Sequence, residues 1–469
     1  VAIDAEPFTR KATIAMTSST TAPPEPITVS RNGRFLATAS GAPFFWLGDT
    51  AWELFHRLNR EEACRYLDNR EARGFNVIQA VILAENDGLH TPNPYGHLPL
   101  VDDDPLRPNP AYFQHVDYII DQAAARGLYV GLLPTWGDKV NLMWGVGPVI
   151  FNAETAFGYG RSLATRYQDR TNIVWVLGGD RDEITDGMDY APVWRAMAEG
   201  IRSVAGASAF MTYHPRGERS SAMTFHTDEW LTMNMWQSGH LAPDVPNWEQ
   251  IAQDYAQLPI KPVLDGEPNY EDHPINPYTR QWEPAMGYFR EHDARKQAYR
   301  AVFAGACGHT YGHHSIWQMY APGRPPCSFP AMTWDEAILR PGGAQMVHLK
   351  RLMLSRPYWS RIPDQGLLAS GEGEGAHHVQ ATRDAEGSYA LIYIPEPGQT
   401  VSVSLRPFAG KTLRAWWYDP RSGFPSPLGM VEAGDGSDAA TFTTPGHGPD
   451  WVLALDDAAR QFPPPGRLP

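Results

Sequence analysis

The sequence predicts a (β/α)8 barrel followed by a small β-sandwich. Eight apolar, strand-like runs alternate with helical segments over about 310 residues. The runs are continuously apolar rather than alternating, as strands buried on both faces should be. The helical pattern then stops near residue 364, and short strands separated by Gly, Pro, Ser and Asp turns take over. A doubly wound sheet is the alternative for the first part, but no glycine-rich phosphate loop follows its first strand. The length of 469 residues exceeds one small domain and suits a large barrel with an appendage.

In chain order, residues 1–29 read as a disordered lead without the apolar core of a signal peptide. Residues 30–45 form a hairpin with Asn32-Gly33 as its turn. The first barrel run is FFWL, followed by GDTAW and a helix that stops at Gly74. FNVIQAVIL (75–83) is the second, followed by a long polar loop. The helix over 109–126 sets Phe113, Val116, Ile119, Ile120 and Ala123 on one face, and Gly127 caps it. LYVGLLPTW (128–136), TNIVWVLGGD (171–180) and AFMTYHP (209–215) are runs three to five. LTMNMWQSGH (231–240), KPVLDGEPNYE (261–271) and HTYGHHSIW (309–317) complete the set, with a last helix over 344–354. The barrel domain spans 30–360, the sandwich 364–457 and a tail 458–469.

Composition excludes several classes. Hydrophobic residues make up 42% and charged residues 20%, enough for a normal core. A net charge of −14 with no basic run argues against nucleic-acid binding. No stretch reaches the roughly 20 apolar residues of a membrane span. Cys64, Cys307 and Cys327 fit no zinc spacing and read as reduced thiols, with one disulfide possible on count. The reading leans to a cytoplasmic protein, a removed leader being the alternative; oligomeric state is left open.

A barrel carries its site at the carboxyl ends of its strands. There the sequence offers Asp49 and Trp52 (first), Gln79 (second), Trp136 (third), Asp180 (fourth), Tyr213 and His214 (fifth), Trp236 and Gln237 (sixth), Glu267 (seventh), and His314 and Trp317 (eighth). Strands four and seven lie nearly across an eight-stranded barrel, so Asp180 and Glu267 face one another. A facing carboxylate pair is the equipment of glycoside cleavage, one as acid and the other as nucleophile or base. Gly179 and Gly266, one before each, leave room for a sugar. The other residues named are expected to bind substrate. Trp46, Trp144 and Trp175 read as core. The histidines of HTYGHH lack the partners of a metal centre, so neither metal nor cofactor is expected. Glu267 is expected to be held as the anion by His214, Gln237 or Tyr213, and Asp180 to be the raised partner.

The run FFWLGDTAWELFHRLNREEACRYLDNREARGFNVIQ, the run ending WVLGGD and PVLDGEPNYE together resemble apiosidase-like barrels, the glycoside hydrolase family 140 group, with a collagen-binding-type β-domain at the carboxyl end. The resemblance covers about residues 27–457. It implies a retaining glycosidase with Asp180 as acid/base and Glu267 as nucleophile, acting on a pentofuranoside such as an apiosyl unit of a polysaccharide or glycoside. Where the wider clan of retaining barrels carries Asn-Glu after strand four, this chain has Gly179-Asp180. The β-domain reads as structural. A carbohydrate-binding protein on a degenerate barrel is the alternative from another class.

Overall fold

The structure is a computed structural model that describes residues 23–275, 284–435 and 438–468. Of the expected lead, residues 1–22 lie outside the described residues. Its end is shorter than the sequence suggested, because Ile27–Val29 pairs antiparallel with Leu36–Thr38. That hairpin, with Gly33 at φ +74° in its turn, also pairs with Pro43–Phe44.

Eight parallel strands follow: β1 (Trp46–Thr50), β2 (Val77–Leu83), β3 (Tyr129–Thr135), β4 (Ile173–Gly178), β5 (Met211–His214), β6 (Asn234–Gln237), β7 (Val263–Asp265) and β8 (Gly308–Tyr311). Their order is β5-β4-β3-β2-β1-β8, with β6 beside β7 in a second ladder. The last strand pairing with the first, Gly308 opposite Trp46, is what a barrel does and a doubly wound sheet does not. Two seams join the ladders. At β5/β6 Thr232 N–H donates to Met211 O (2.8 Å) and the Thr212 hydroxyl to Met233 O (2.7 Å). At β7/β8 Cys307 N–H donates to Val263 O at 2.9 Å.

The helices around the ring are α1 (Arg60–Ala72), α2 (Pro110–Ala125), α3 (Ala153–Tyr167), α4 (Ala191–Ala205), α5 (Asn247–Tyr255), α6 (Glu291–Phe303) and α7 (Pro341–Leu354). Their starts are written locally. Asn59 and Glu62 form a capping box on α1, and Asn109 caps α2 ahead of Pro110. Between β5 and β6 the connection carries no long helix, only the two-residue strand Arg219–Ser220 and the one-turn helix Ala222–Phe225. The α2 face predicted from spacing, including Phe113, Val116 and Ile120, is buried. Cys64, Cys307 and Cys327 are free thiols. Among the described residues no helix is long and apolar enough to cross a membrane, and no group of three His, Cys, Asp or Glu is arranged to hold a metal ion.

The carboxy-terminal part packs a six-stranded antiparallel sheet on a three-stranded one. Sequence reading missed four of these strands: Arg361–Pro363, Leu368–Ser370, Phe424–Glu432 and Ala439–Thr443. In Tyr389–Ile394, alternate residues Ala390, Ile392 and Ile394 fill the sandwich core, whereas Tyr389, Leu391 and Tyr393 pack toward the barrel. Both faces are buried, which is why this strand reads as continuously apolar. The residues read as a tail also dock, with the Arg356 guanidinium 5.0 Å over the Phe462 ring.

Helix α6 joins the two parts, and every residue from Ala294 to Phe303 is buried. Arg295 makes a two-pronged pair with Asp450 (2.8 and 2.6 Å), which Tyr393 also hydrogen-bonds. Arg300 caps the carbonyls of Gly375, Ala376 and His378. Breaking one side of a buried ion pair costs about 3–5 kcal/mol. Asp450→Ala should therefore lower stability by about that amount in chemical denaturation; a change within about 0.5 kcal/mol would mean the pair does not clamp the domains.

Candidate active site

The tip of β4 is built from three consecutive residues with positive φ: Gly178 (+88°), Gly179 (+136°) and Asp180 (+55°). A Cβ on Gly178 would stand 2.3 Å from His214 O, and one on Gly179 would stand 2.6 Å from Gly137 N. Glycine is therefore required twice, by conformation and by contact. Gly179 N–H donates to His214 O, and Gly137 N–H donates to Gly179 O, each at 3.0 Å. The turn is thus laced to the tips of both neighbouring strands. Aspartate is one of the few side chains that tolerate the left-handed region.

Asp180 keeps 25% of its side chain open to the barrel mouth. Arg181, itself buried, organises its surroundings. One of its nitrogens donates to Asp180 O (2.7 Å) and lies 3.3 Å from the carboxylate; another pairs with Glu85 at 3.1 Å. Its Nε donates to Trp144 O, and the guanidinium lies 4.2 Å over the Trp144 ring. Burial raises the Asp180 pKa to about 7; Arg181 opposes the rise, and the Glu267 and Glu85 charges add to it.

Glu267 follows β7. Its carboxylate receives His214 Nε2 at 3.0 Å, Gln237 Nε2 at 3.0 Å and His240 Nε2 at 3.1 Å. Its backbone is fixed too, by Gly239 N–H on Glu267 O and by Gln79, which reaches across the barrel to Gly266 O. Burial works against ionisation here as well, but the hydrogen bonds of His214 and His240 and the pull of both imidazoles outweigh it. The carboxyl is held down to about 2.

The two carboxylates open into one cavity of about 490 Å³ walled by Trp52, Trp136, Trp144, Tyr270 and Trp317. Trp52 and Trp136 pack at 5.2 Å, and each lies against His214. His240 stacks on His273 at 4.0 Å and tilts against Tyr270 at 4.6 Å.

Of the residues the sequence singled out, Trp52, Trp136, Gln237 and Trp317 therefore line the cavity beside Asp180 and Glu267. His214 lies behind Glu267, and Gln79 beneath it. His314 stands behind Trp317, hydrogen-bonded to its indole and to the carbonyls of Cys327 and Ser328. Three residues are not brought to the cavity. Asp49 binds the Tyr66 hydroxyl and Arg70 on α1. Tyr213 packs on Trp194 and Phe225, and Trp236 on the helix-side cluster with Trp248 and Ile251. Strand alternation is the cause: when His214 and Gln237 point inward, Tyr213 and Trp236 point outward. Trp144, read as core, is instead 40% exposed and part of the wall. Trp46 and Trp175 are buried as expected. Sequence reading passed over His240, Tyr270, Glu85 and Arg181. The first two had a signal, standing three residues after Gln237 and Glu267 in segments already marked as strand ends.

A barrel with an acidic pair in an aromatic cavity at its carboxyl mouth is the arrangement that glycoside hydrolases use. Two solved structures place the chain in that company. One is a glycoside hydrolase family 5 protein from Bacteroides vulgatus ATCC 8482, 35% identical, covering 95% of this chain and 96% of its own, with a TM-score of 0.85. The other is described as "Glycoside hydrolase", 35% identical over 93% of this chain and 97% of its own, with a TM-score of 0.83. The chain belongs to the apiosidase-like family: "Apiosidase-like, catalytic domain" matches residues 30–360. "Putative collagen-binding domain of a collagenase" matches residues 362–456. No curated protein matches.

Because the Glu267 charge helps to raise Asp180, Glu267→Gln should lower the Asp180 pKa by roughly a unit. Carbon-13 NMR titration of the aspartate carboxyls measures this; an unmoved Asp180 would show that the two groups do not interact.

Proposed function

We propose that the protein is a retaining glycoside hydrolase, with Asp180 as acid/base and Glu267 as nucleophile. The observation that carries this reading is the opposite poise of two carboxylates on one cavity: Asp180 raised to about 7 and Glu267 held to about 2. At neutral to mildly acidic pH one carries its proton and the other its charge, the division of labour that a retaining cycle needs. A barrel that only bound sugars would have no use for such a split.

In the first step the Asp180 proton passes to the glycosidic oxygen as that bond breaks. Glu267 closes on the anomeric carbon and forms a glycosyl ester. In the second step water attacks that carbon, Asp180 takes a proton from the water, and Glu267 leaves as carboxylate. His214, Gln237 and His240 hold Glu267 so that one oxygen is aimed, and the aromatic walls exclude water and stack on the sugar face. Family membership supports a pentofuranoside such as an apiosyl unit as the glycone. Trp52, Trp136, Gln237 and Trp317 are the substrate contacts in this reading, with His214 and His314 acting through Glu267 and Trp317.

A panel of aryl pentofuranosides and plant cell-wall oligosaccharides tests the activity. The rate should follow a bell in pH. Its alkaline limb lies near 7, where Asp180 loses the proton it must donate. The acid limb lies far lower, because Glu267 stays ionised down to about 2. Asp180→Ala and Glu267→Ala should each cut turnover by about 10²–10⁴-fold or more, and a mechanism-based inhibitor should label Glu267. Either variant keeping about a tenth of the activity would falsify the assignment.

A further inference from the structure

Beyond the catalytic cavity lies a second groove of about 580 Å³, a volume that suits a drug-sized ligand. Three loops each give neighbouring residues to both spaces. The loop after β2 supplies Glu85 to the cavity and Asn86 to the groove, and the segment after β3 supplies Trp144 and Val146. The loop after β8 supplies Cys327 to the cavity and Pro326 to the groove. The groove therefore continues the cavity past Glu85 and Trp144, the side on which Arg181 joins them to Asp180.

The surface of this groove has an unusual chemistry. Pro92, Pro94, Val146, Pro325 and Pro326 line it, and Val146 is 56% exposed. Prolines offer no N–H. Most polar side chains nearby are turned to the protein; Asp87, 40% exposed and shared with His90, and the exposed Thr91 are the exceptions. His56 bridges Glu53 and Thr91 O, and Asn86 donates to Glu53. Arg57 donates to Gln318 O, and Arg324 is taken by Met319 O and Glu62. A sugar ring needs several directed hydrogen bonds around its edge, whereas the prolines and Val146 offer contact to a flat ring, with Asp87 and Thr91 left for a phenolic hydroxyl.

The wall is also fixed in place. Gly147 N–H donates to Asp138 at 3.0 Å, Ile150 N–H to Lys139 O at 2.9 Å, and Asn141 to Asp182 O at 2.8 Å. Leu142, Trp144, Val146 and Val149 are exposed on a segment that is nonetheless tied down. Such preorganisation lowers the entropic cost of binding.

We infer that the leaving-group side of the site runs from Trp144 into this groove and takes an aglycone of two or more flat, mainly apolar rings, a polyphenol-type group. The inference rests on the glycosidase reading only for the words "leaving group"; the groove binds or fails to bind by itself. In a hydrolysed glycoside the sugar would lie between Asp180 and Glu267, the first aglycone ring on Trp144 and the next against Val146 and the prolines.

Calorimetric titration of the full chain with naringenin, a multi-ring phenol without sugar, tests this directly, with cellotetraose as the sugar-chain counterpart. Naringenin should bind at one saturable site and cellotetraose should not compete. Val146→Asp should weaken naringenin binding by about tenfold or more, while kcat/KM on a single-ring aryl glycoside stays unchanged. Pro326→Asp, on a different loop, reads the same surface should Val146→Asp fail to fold. The inference is overturned if naringenin does not bind, if neither variant weakens it, or if cellotetraose is the ligand that both variants weaken. Binding of naringenin without hydrolysis of any glycoside would overturn the catalytic reading and leave the groove's chemistry standing.

Discussion

A carboxylate buried with its charge costs several kcal/mol unless donors replace its water. At Glu267 three side chains from two neighbouring strands replace it, and much of the barrel mouth follows from that requirement. His214 must point inward from β5 and Gln237 inward from β6. His240 reaches back after a turn at Gly239, whose φ is +77°. Once His214 is fixed, Trp52 and Trp136 have a ring to pack against, so the aromatic walls inherit their positions from the anion. Asp180 then titrates in the field of a charge that does not move.

A second buried carboxylate does similar work at the rim. Glu53 is fully buried, and burial opposes its ionisation, yet the charge and hydrogen bond of His56 with the charge of Arg57 hold it down to about 2. It receives Asn86 from the loop after β2, and its own N–H donates to Trp317 O after β8. Three loops of a barrel mouth, which have no ladder to register them, are registered here by one residue, through its carboxylate and its backbone N–H.

The parts of this molecule legible in the sequence are those written in local patterns. Apolar runs gave the eight strands, Gly74 and Gly127 marked two helix ends, and Asp180 and Glu267 stood where strand-end reasoning looks. The same reasoning went too far by counting adjacent residues together. His214 and Tyr213 cannot share a face, nor can Gln237 and Trp236, and only knowing which of each pair enters the ring decides between them. Asp49 misled for another reason: its partners Tyr66 and Arg70 lie on α1, and a buried structural carboxylate looks the same in sequence as a catalytic one. Trp144 sits in an apolar segment, LMWGV, whose exposure follows from Arg181 pinning it at the rim, a long-range contact that no periodicity encodes.

Helix α6 makes the two parts of the chain depend on each other. Its buried residues serve the ring on one side and the β-domain on the other. Tyr299 stacks on Tyr393 at 5.0 Å, Arg361 caps the carbonyls of Val302 and Ala306, and Trp248 from α5 stacks on His378 at 4.0 Å. A gene rearrangement that moved the barrel without the sandwich would leave the Arg295 and Arg300 guanidiniums without their counterparts beside an uncovered tyrosine. The two parts therefore share one buried surface, and each without the other would present charged and aromatic side chains that now have partners.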